Sequence, residues 1–140
     1  MSDTDEITAL VRSSARLLDA GDVDAVVSLF EHSTWRSLPN GSRLRGGAEV
    51  RPVYEQLMAG EGNLHTKHHL TNITVHVDPD TATATSHCYW TVLRGAPGEH
   101  IEVAVSGQYT DTFEKVDGTW HFTDRLITVD PTGGPSSAVR

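Results

Sequence analysis

Residues 66–77 read TKHHLTNITVHV and decide the fold class, because the spacing of apolar residues changes here from a helical period to a period of two. Alternating polar and apolar residues, many of them β-branched, are typical of a β-strand. The alternation contains one conflict, since a straight strand places His68 on one face and Ile73 and Val75 on the other. This conflict predicts either a bulge that shifts the register or a sheet that is covered on both faces.

The sequence beyond this strand keeps the period of two. Asp78-Pro79-Asp80 and Asp117-Gly118 are turn signals, and Asp-Gly is typical of a tight hairpin. Gly107 interrupts a long strand and predicts a bend or bulge there. Residues 1–129 are predicted to form a single domain, and residues 130–140 a flexible tail. Three further antiparallel strands are predicted, at residues 81–93, 100–116 and 119–129.

The sequence before residue 66 has helical spacing. Asp3 and Glu6 predict a capping box at the start of a first helix, and Gly21 predicts its end. A second short helix follows, and then a short hairpin of two strands. A third helix is predicted to carry Pro52 in its first turn and to close at residues 60–63. Helices followed by a strand meander predict an α+β fold, with the helices packed in the concave face of a bent antiparallel sheet.

Composition excludes several classes of partner. The net charge is −8 with histidine neutral, and no run of lysine or arginine compensates for it. Such a surface repels nucleic acid and anionic membranes, so neither is predicted as a partner. The N-terminus is acidic and does not resemble a signal peptide, and Cys88 is the single cysteine, which together predict a cytoplasmic protein without disulfides.

Four stretches of the chain resemble the SnoaL-like branch of the NTF2-like superfamily, the branch that includes scytalone dehydratase and bile-acid 7α-dehydratase. The resemblance covers residues 5–129 and implies a cone-shaped barrel whose mouth forms a pocket. It implies a dehydratase, isomerase or cyclase acting on a small, largely apolar, polyketide- or steroid-like molecule, although the family also contains catalytically silent members. The stretches are LDAGDVD at 18–24 with Leu29-Phe30, TKHHLTN at 66–72, GQYTDTF at 107–113 and DGTWHF at 117–122.

The resemblance also implies site residues. The family's pocket histidine falls on His68, and its acidic residue at the end of the first helix falls on Asp19. Ser14 stands where the family's dehydratases often carry a tyrosine, which is a departure from the pattern. An arginine that some members carry in a late strand falls on Arg125.

These residue types suit proton transfer next to a carbonyl group. A base removes the proton, and a hydrogen-bond donor stabilises the resulting enolate. Histidine, with an ordinary pKa of about 6.5, can take and return a proton near neutrality, and a carboxylate on its other ring nitrogen fixes the tautomer. His68 and Asp19 are therefore the predicted catalytic pair. The predicted substrate-binding residues include Ser14 or, as replacement donors, Tyr54, Tyr89 and Tyr109.

Simpler interpretations remain open for most of these residues. His68 is also compatible with an ordinary strand histidine, and Asp19 with a helix cap. Asn72 is predicted either to orient His68 or to bind backbone, and Asp111 either to face the pocket or to lie at a solvated edge. Trp35 and the other tryptophans are interpreted as core residues.

Four further expectations concern the whole protein. A metal site at His65, His68 and His69 is not predicted, because neighbours on a strand point to opposite faces. No cofactor is predicted either. A non-catalytic binder of small molecules is the main rival to an enzyme, because Ser14 replaces the usual tyrosine. A homodimer through the outer face of the sheet is predicted, which would cover a second apolar face.

Overall fold

The computed structural model describes residues 1–61 and 65–131. The predicted α+β class is confirmed, with three helices and one six-stranded sheet in this part of the chain. The predicted closing turn of the third helix at residues 62–63 and the predicted tail from residue 132 onward lie outside the described residues. The elements are α1 (Asp3–Ala20), α2 (Val23–Leu29), β1 (Thr34–Leu38), β2 (Arg43–Arg45), α3 (Gly46–Glu61), β3 (Thr66–Asp78), β4 (Thr83–Arg94), β5 (Glu102–Val116) and β6 (Thr119–Val129).

The sheet has the strand order β2-β1-β6-β5-β4-β3. Its four pairs other than β1–β6 are antiparallel, as predicted, while β1 and β6 run parallel. The prediction of a wholly antiparallel sheet is therefore corrected at this pair. No hairpin joins β1 to β6, so no turn forces them to be antiparallel. The pairing places Trp35 beside Arg125.

Two details of the helices differ from the prediction. The N-cap of α1 is Ser2, whose hydroxyl accepts a hydrogen bond from the Asp5 amide at 3.1 Å, so the capping box lies one residue before the predicted one. Pro52 lies inside α3, beyond its first turn, because the helix already begins at Gly46. Gly21 ends α1 in the left-handed conformation, as predicted.

A bulge in β3 resolves the conflict in its alternation. Thr71 pairs with Tyr89 and Thr74 pairs with His87, so two residues of β3 lie opposite one residue of β4. Asn72 has a φ of 56°, a conformation that asparagine tolerates better than most residues. The bulge was one of the two alternatives that the sequence left open, and it is the one observed. The residues that turn towards the protein are, in order, Thr66, His68, Leu70, Ile73, Val75 and Val77.

A second bulge has the same effect in β6. Phe113 pairs with Phe122 and Thr112 pairs with Asp124, which leaves Thr123 as the extra residue. Strict alternation after Phe122 would turn Asp124 inward, but the bulge turns Arg125 inward instead. Such bulges bend the strands that carry them and curve the sheet around the helices.

Gly107 is not at a bulge, which corrects that part of the prediction of a bend or bulge. It pairs in register with Trp90 and Val129. A Cβ atom at this position would overlap the carbonyl oxygen of Thr128 and would lie 2.5 Å from the indole ring of Trp90. Glycine is required here because the tryptophan ring and the neighbouring strand approach the backbone of β5 too closely for any side chain.

Replacing Gly107 with alanine is therefore expected to destabilise the protein by about 1–3 kcal/mol or more, because the backbone of β6 has to move. Urea unfolding measures the effect. Gly41→Ala is the matched control, since Gly41 has no atom within 4 Å of the added Cβ and carries only the cost of its positive φ of 74°. Equal losses in the two variants would contradict the steric explanation.

The core fills the space between the helices and the concave face of the sheet. Its members are apolar residues from every long element. Exposed positions on the opposite face of the sheet are largely threonine and histidine, including Thr85, Thr110 and His69. The bulge in β3 removes the reason to expect a second apolar face, and the homodimer stays a prediction. Within the described residues, no helix has the length and apolarity needed to cross a membrane.

Candidate active site

A cavity of about 270 Å³ opens between helices α1 and α3 and the concave face of the sheet. This volume lies just under the roughly 300–1,000 Å³ of ordinary ligand pockets, so it suits a molecule of one or two rings. Most of its wall is apolar, which favours a ligand of the same character. The lining residues are Leu18, Trp35, Tyr54, Thr66, His68, Val92, Arg94, Val105, Tyr109, Arg125 and Ile127.

Asp19 and His68 form a close pair at one side of the cavity. His68 Nδ1 lies 2.5 Å from Asp19 Oδ1, and the His68 amide donates to Asp19 Oδ2 at 2.7 Å. The Thr66 hydroxyl adds a hydrogen bond to Asp19 Oδ1 at 3.1 Å. All three hydrogen bonds join the end of α1 to the start of β3. The Asp19 carboxylate therefore binds groups of the strand, and none of these bonds caps a helix. The pair fixes the ring by Nδ1, and His68 forms part of the cavity wall.

The same contacts set the charge of Asp19. Burial raises the pKa of this carboxyl, but the hydrogen bonds from the His68 ring, the His68 amide and Thr66 outweigh burial and hold the pKa below its usual value. An ionised carboxylate accepts a hydrogen bond from Nδ1–H and stabilises the ring when the ring gains a proton. A carboxylate held against one ring nitrogen is an arrangement that allows a histidine to act as a general base.

The pKa of the Asp19 carboxyl is expected to lie below its ordinary value in the folded protein. Carboxyl-carbon chemical shifts measured against pH by NMR check this. In His68→Ala the midpoint should rise, because the ring hydrogen bond is lost. A folded-state pKa below the unfolded value gives stability that is present above the unfolded pKa and is lost as pH falls through the folded pKa. An unchanged midpoint in His68→Ala would contradict the assigned cause.

Arg125 forms a second polar cluster in the cavity wall, and its side chain is only 1% exposed. Its Nε and Nη2 atoms donate to the two carboxylate oxygens of Asp111 at 2.8 and 3.0 Å. Nη2 also donates to the Ser14 hydroxyl at 3.0 Å, and the guanidinium stacks on the Tyr109 ring at 3.9 Å. Burial disfavours the charged guanidinium, but Asp111 outweighs this and raises the pKa of Arg125.

Two of the predicted substrate-binding residues therefore lie behind Arg125 and outside the cavity lining. Ser14 accepts a hydrogen bond from Arg125 and donates one to the Val11 carbonyl at 2.6 Å. Asp111 is completely buried under the guanidinium. Both side chains hold Arg125 in place, and neither touches the space that a ligand would occupy.

Tyr54 and Tyr109 line the cavity, but their hydroxyl groups are poor acids. Burial raises the pKa of Tyr54 to about 12 and that of Tyr109 to about 12. The Tyr54 hydroxyl also donates to the Leu18 carbonyl, so its proton is already engaged. Burial likewise raises the pKa of the Cys88 thiol to about 11, which leaves it without thiolate character near neutrality.

Two other predicted residues lie away from the cavity. Asn72 occupies the bulge of β3 and is exposed. Tyr89 is 45% exposed on the outer face of the sheet, where its ring contacts His87. The bulge turns Asn72 outward and alternation along β4 turns Tyr89 outward, so neither residue enters the site that we propose.

Sequence reasoning missed several lining residues. Thr66 carried a signal, because it lies two residues before His68 and therefore on the same strand face. Trp35 was interpreted as a core residue, and only the pairing of β1 with β6 brings it to the cavity. No local signal in the sequence indicates that pairing.

The histidine run does not converge on one point. His69 is exposed on the face opposite His68. Across residues 1–61 and 65–131, no group of three or more His, Cys, Asp or Glu side chains is arranged to hold a metal ion.

Comparison with known proteins places this geometry in a wider context. The model of a family described as the SnoaL-like domain matches residues 1–126. No curated protein matches the sequence significantly.

Solved structures share the fold over about nine-tenths of the chain. Aln2 from a Streptomyces species is 21% identical, with a TM-score of 0.79 and 89% of each chain covered. An NTF2-like protein with a cystatin-like fold from Novosphingobium aromaticivorans is 22% identical, with a TM-score of 0.75 and coverage of 97% of this chain and 88% of that one. A protein from the same organism, provisionally assigned as a scytalone dehydratase, is 25% identical, with a TM-score of 0.71 and coverage of 91% and 84%. These likenesses confirm the predicted fold.

Proposed function

The chain belongs to the SnoaL-like domain family, and from this premise we propose that it is a lyase or isomerase that needs no cofactor and acts on a small apolar ketone. The observation that carries the proposal is the 2.5 Å contact between His68 Nδ1 and Asp19 Oδ1, with the ring at the wall of an apolar cavity. A histidine held in this way presents Nε2 as a base to any molecule in the cavity. The likeness to a protein provisionally assigned as a scytalone dehydratase supports the same chemistry.

In the proposed reaction, His68 Nε2 removes a proton from the carbon next to the carbonyl. The electron pair of that C–H bond becomes the carbon–carbon double bond of an enolate, and the carbonyl oxygen takes the negative charge. The imidazolium then returns the proton. In a ketone with a β,γ double bond, return of the proton to the γ carbon gives the conjugated isomer. In a ketone with a hydroxyl on the β carbon, transfer of the proton to that hydroxyl breaks the C–O bond, releases water and gives the unsaturated ketone.

Asp19 is a positioning residue in this scheme. Its carboxylate keeps the neutral ring protonated on Nδ1, so that Nε2 carries the lone pair, and it stabilises the imidazolium while the proton is held. The amide and hydroxyl bonds from His68 and Thr66 keep the carboxylate still, which limits reorganisation during the reaction.

Proton abstraction can be tested before the natural substrate is identified. The wild-type protein in D₂O is expected to exchange the α-protons of bicyclic ketones such as 1-tetralone, 2-tetralone and 1-indanone faster than buffer does, as measured by NMR. Binding of these ketones is measured in parallel by equilibrium dialysis. Binding without faster exchange of any of them would contradict the proposal and favour a non-catalytic binding protein.

A further inference from the structure

Three polar side chains form a row across neighbouring strands at the back of the cavity. Asp111 on β5 pairs directly with Arg125 on β6, which in turn pairs directly with Trp35 on β1. Partners in register project from the same face of a sheet, so all three side chains lie on the concave side. Arg125 is in the middle, with the carboxylate on one side and the indole on the other.

The row contains two hydrogen-bond donors without a partner. The Nε and Nη2 atoms of Arg125 donate hydrogen bonds to Asp111. The third nitrogen of the guanidinium, Nη1, is buried and has no acceptor among the described residues. The indole Nε1 of Trp35 is in the same condition. Both residues line the cavity. Buried donors are almost always paired in folded proteins, so two that are left unpaired at the wall of one cavity indicate an acceptor supplied by a ligand.

We propose that Arg125 Nη1 and Trp35 Nε1 together hold the carbonyl oxygen of the substrate. This proposal rests on the proposed function. In it, Trp35 and Arg125 recognise the carbonyl group of the substrate. A carbonyl oxygen bound by these two donors would gain negative charge when His68 removes the α-proton, so they would stabilise the enolate more strongly than the ketone. Trp35 and Arg125 thereby take the role that sequence reasoning assigned to a tyrosine.

Charge balance favours a neutral carbonyl over a carboxylate. The guanidinium of Arg125 is already matched by the buried carboxylate of Asp111. A carboxylate ligand bound at Arg125 would place a second negative charge beside Asp111, with the Arg125 guanidinium shared between the two and Arg94 as the other arginine of the cavity lining. A carbonyl oxygen accepts both hydrogen bonds and leaves the charge of the cluster unchanged in the ground state.

The test compares 1-tetralone with tetralin, which has the same two rings and no oxygen, by equilibrium dialysis. The measured quantity is the ratio of their dissociation constants, ketone over hydrocarbon. In Trp35→Phe this ratio should rise by about 3- to 10-fold, the effect of one lost hydrogen bond, while loss of ring packing affects both probes alike. Trp90→Phe is the matched control, because Trp90 Nε1 is also buried without a partner among the described residues but does not line the cavity.

Three outcomes would overturn the donor pair. One is an unchanged ratio in Trp35→Phe, and another is the same rise in Trp90→Phe. The third is binding of 1-naphthoate more than about 10-fold tighter than 1-tetralone, which would assign the donors to an anion. Dialysis measures binding and requires no turnover, so it separates this proposal from the proposed function. If the ratio of dissociation constants depends on Trp35 but the protein does not exchange α-protons, the donor pair is supported and the proposed catalysis is contradicted.

Discussion

Replacing His68 with glutamine is expected to slow α-proton exchange by about 10²–10⁴-fold, the usual contribution of a general base. Glutamine is close to histidine in size and can still donate to Asp19, so the wall of the cavity is preserved. It has no nitrogen that takes a proton near neutrality. The exchange rate at saturating ketone, followed by NMR, measures the loss, while the dissociation constant of the ketone should change little.

His69→Gln is the matched control, because His69 is the next residue of β3 and faces away from the cavity. It should exchange at the wild-type rate. Asp19→Asn should slow exchange less than His68→Gln, since the imidazole remains, and should alter the dependence of the rate on pH. Wild-type exchange in His68→Gln would remove the proposed base and with it the enzymatic function.

Replacing Asp111 with alanine is expected to destabilise the protein by about 3–5 kcal/mol, because it leaves the guanidinium of Arg125 buried without a counter-ion. Asp111 is completely buried, and it accepts hydrogen bonds from two nitrogens of Arg125. A loss of this size is a large part of the roughly 5–15 kcal/mol that stabilises an ordinary domain. Urea unfolding followed by circular dichroism measures the change.

A second arginine–aspartate ion pair, which is partly exposed, is the matched control for the buried one. Arg36 and Asp124 make the same two-point contact, at 2.9 and 2.7 Å, but their side chains are 40% and 22% exposed. Asp124→Ala should therefore cost no more than about 1 kcal/mol. The double variant Asp111→Leu/Arg125→Met should recover most of the stability, because it removes both charges together. Equal losses from the buried and exposed pairs would contradict the assigned role of burial.

The sequence predicted those parts of the fold that depend on neighbouring residues. Asp117 and Gly118 both have positive φ, as a tight hairpin turn requires, and β6 begins immediately after them. Gly21 ends α1 for a similarly local reason. The bounds of β6 agree with the prediction, and the starts of β4 and β5 differ from it by two residues. Local backbone preference and alternation carry enough information for such features.

The composition of the cavity wall depended on contacts between distant parts of the chain. Trp35 enters the wall because β1 pairs with β6 in parallel, and nothing near Trp35 in sequence indicates this pairing. The partner of Arg125 is Asp111, whose inward position was predicted from alternation as one of two possibilities. Their contact depends on the register between two strands, and a bulge adjusts that register at Thr123. The residues were recognisable as candidates, but their arrangement followed from the tertiary structure.

The bulges at Asn72 and Thr123 have a consequence for how this sequence is compared with others. Each is a single extra residue, and each separates a part of the strand that packs the core from a part that holds His68 or Arg125. Loss of one codon at either place would keep the direction of the side chains on one side of the bulge and turn those on the other side, His68 or Arg125 among them, to the outside of the protein. A sequence alignment without a one-residue gap at such a place would match a residue that points inward in one protein with a residue that points outward in the other. Relatives should therefore be compared by the direction of each side chain as well as by its position in the sequence.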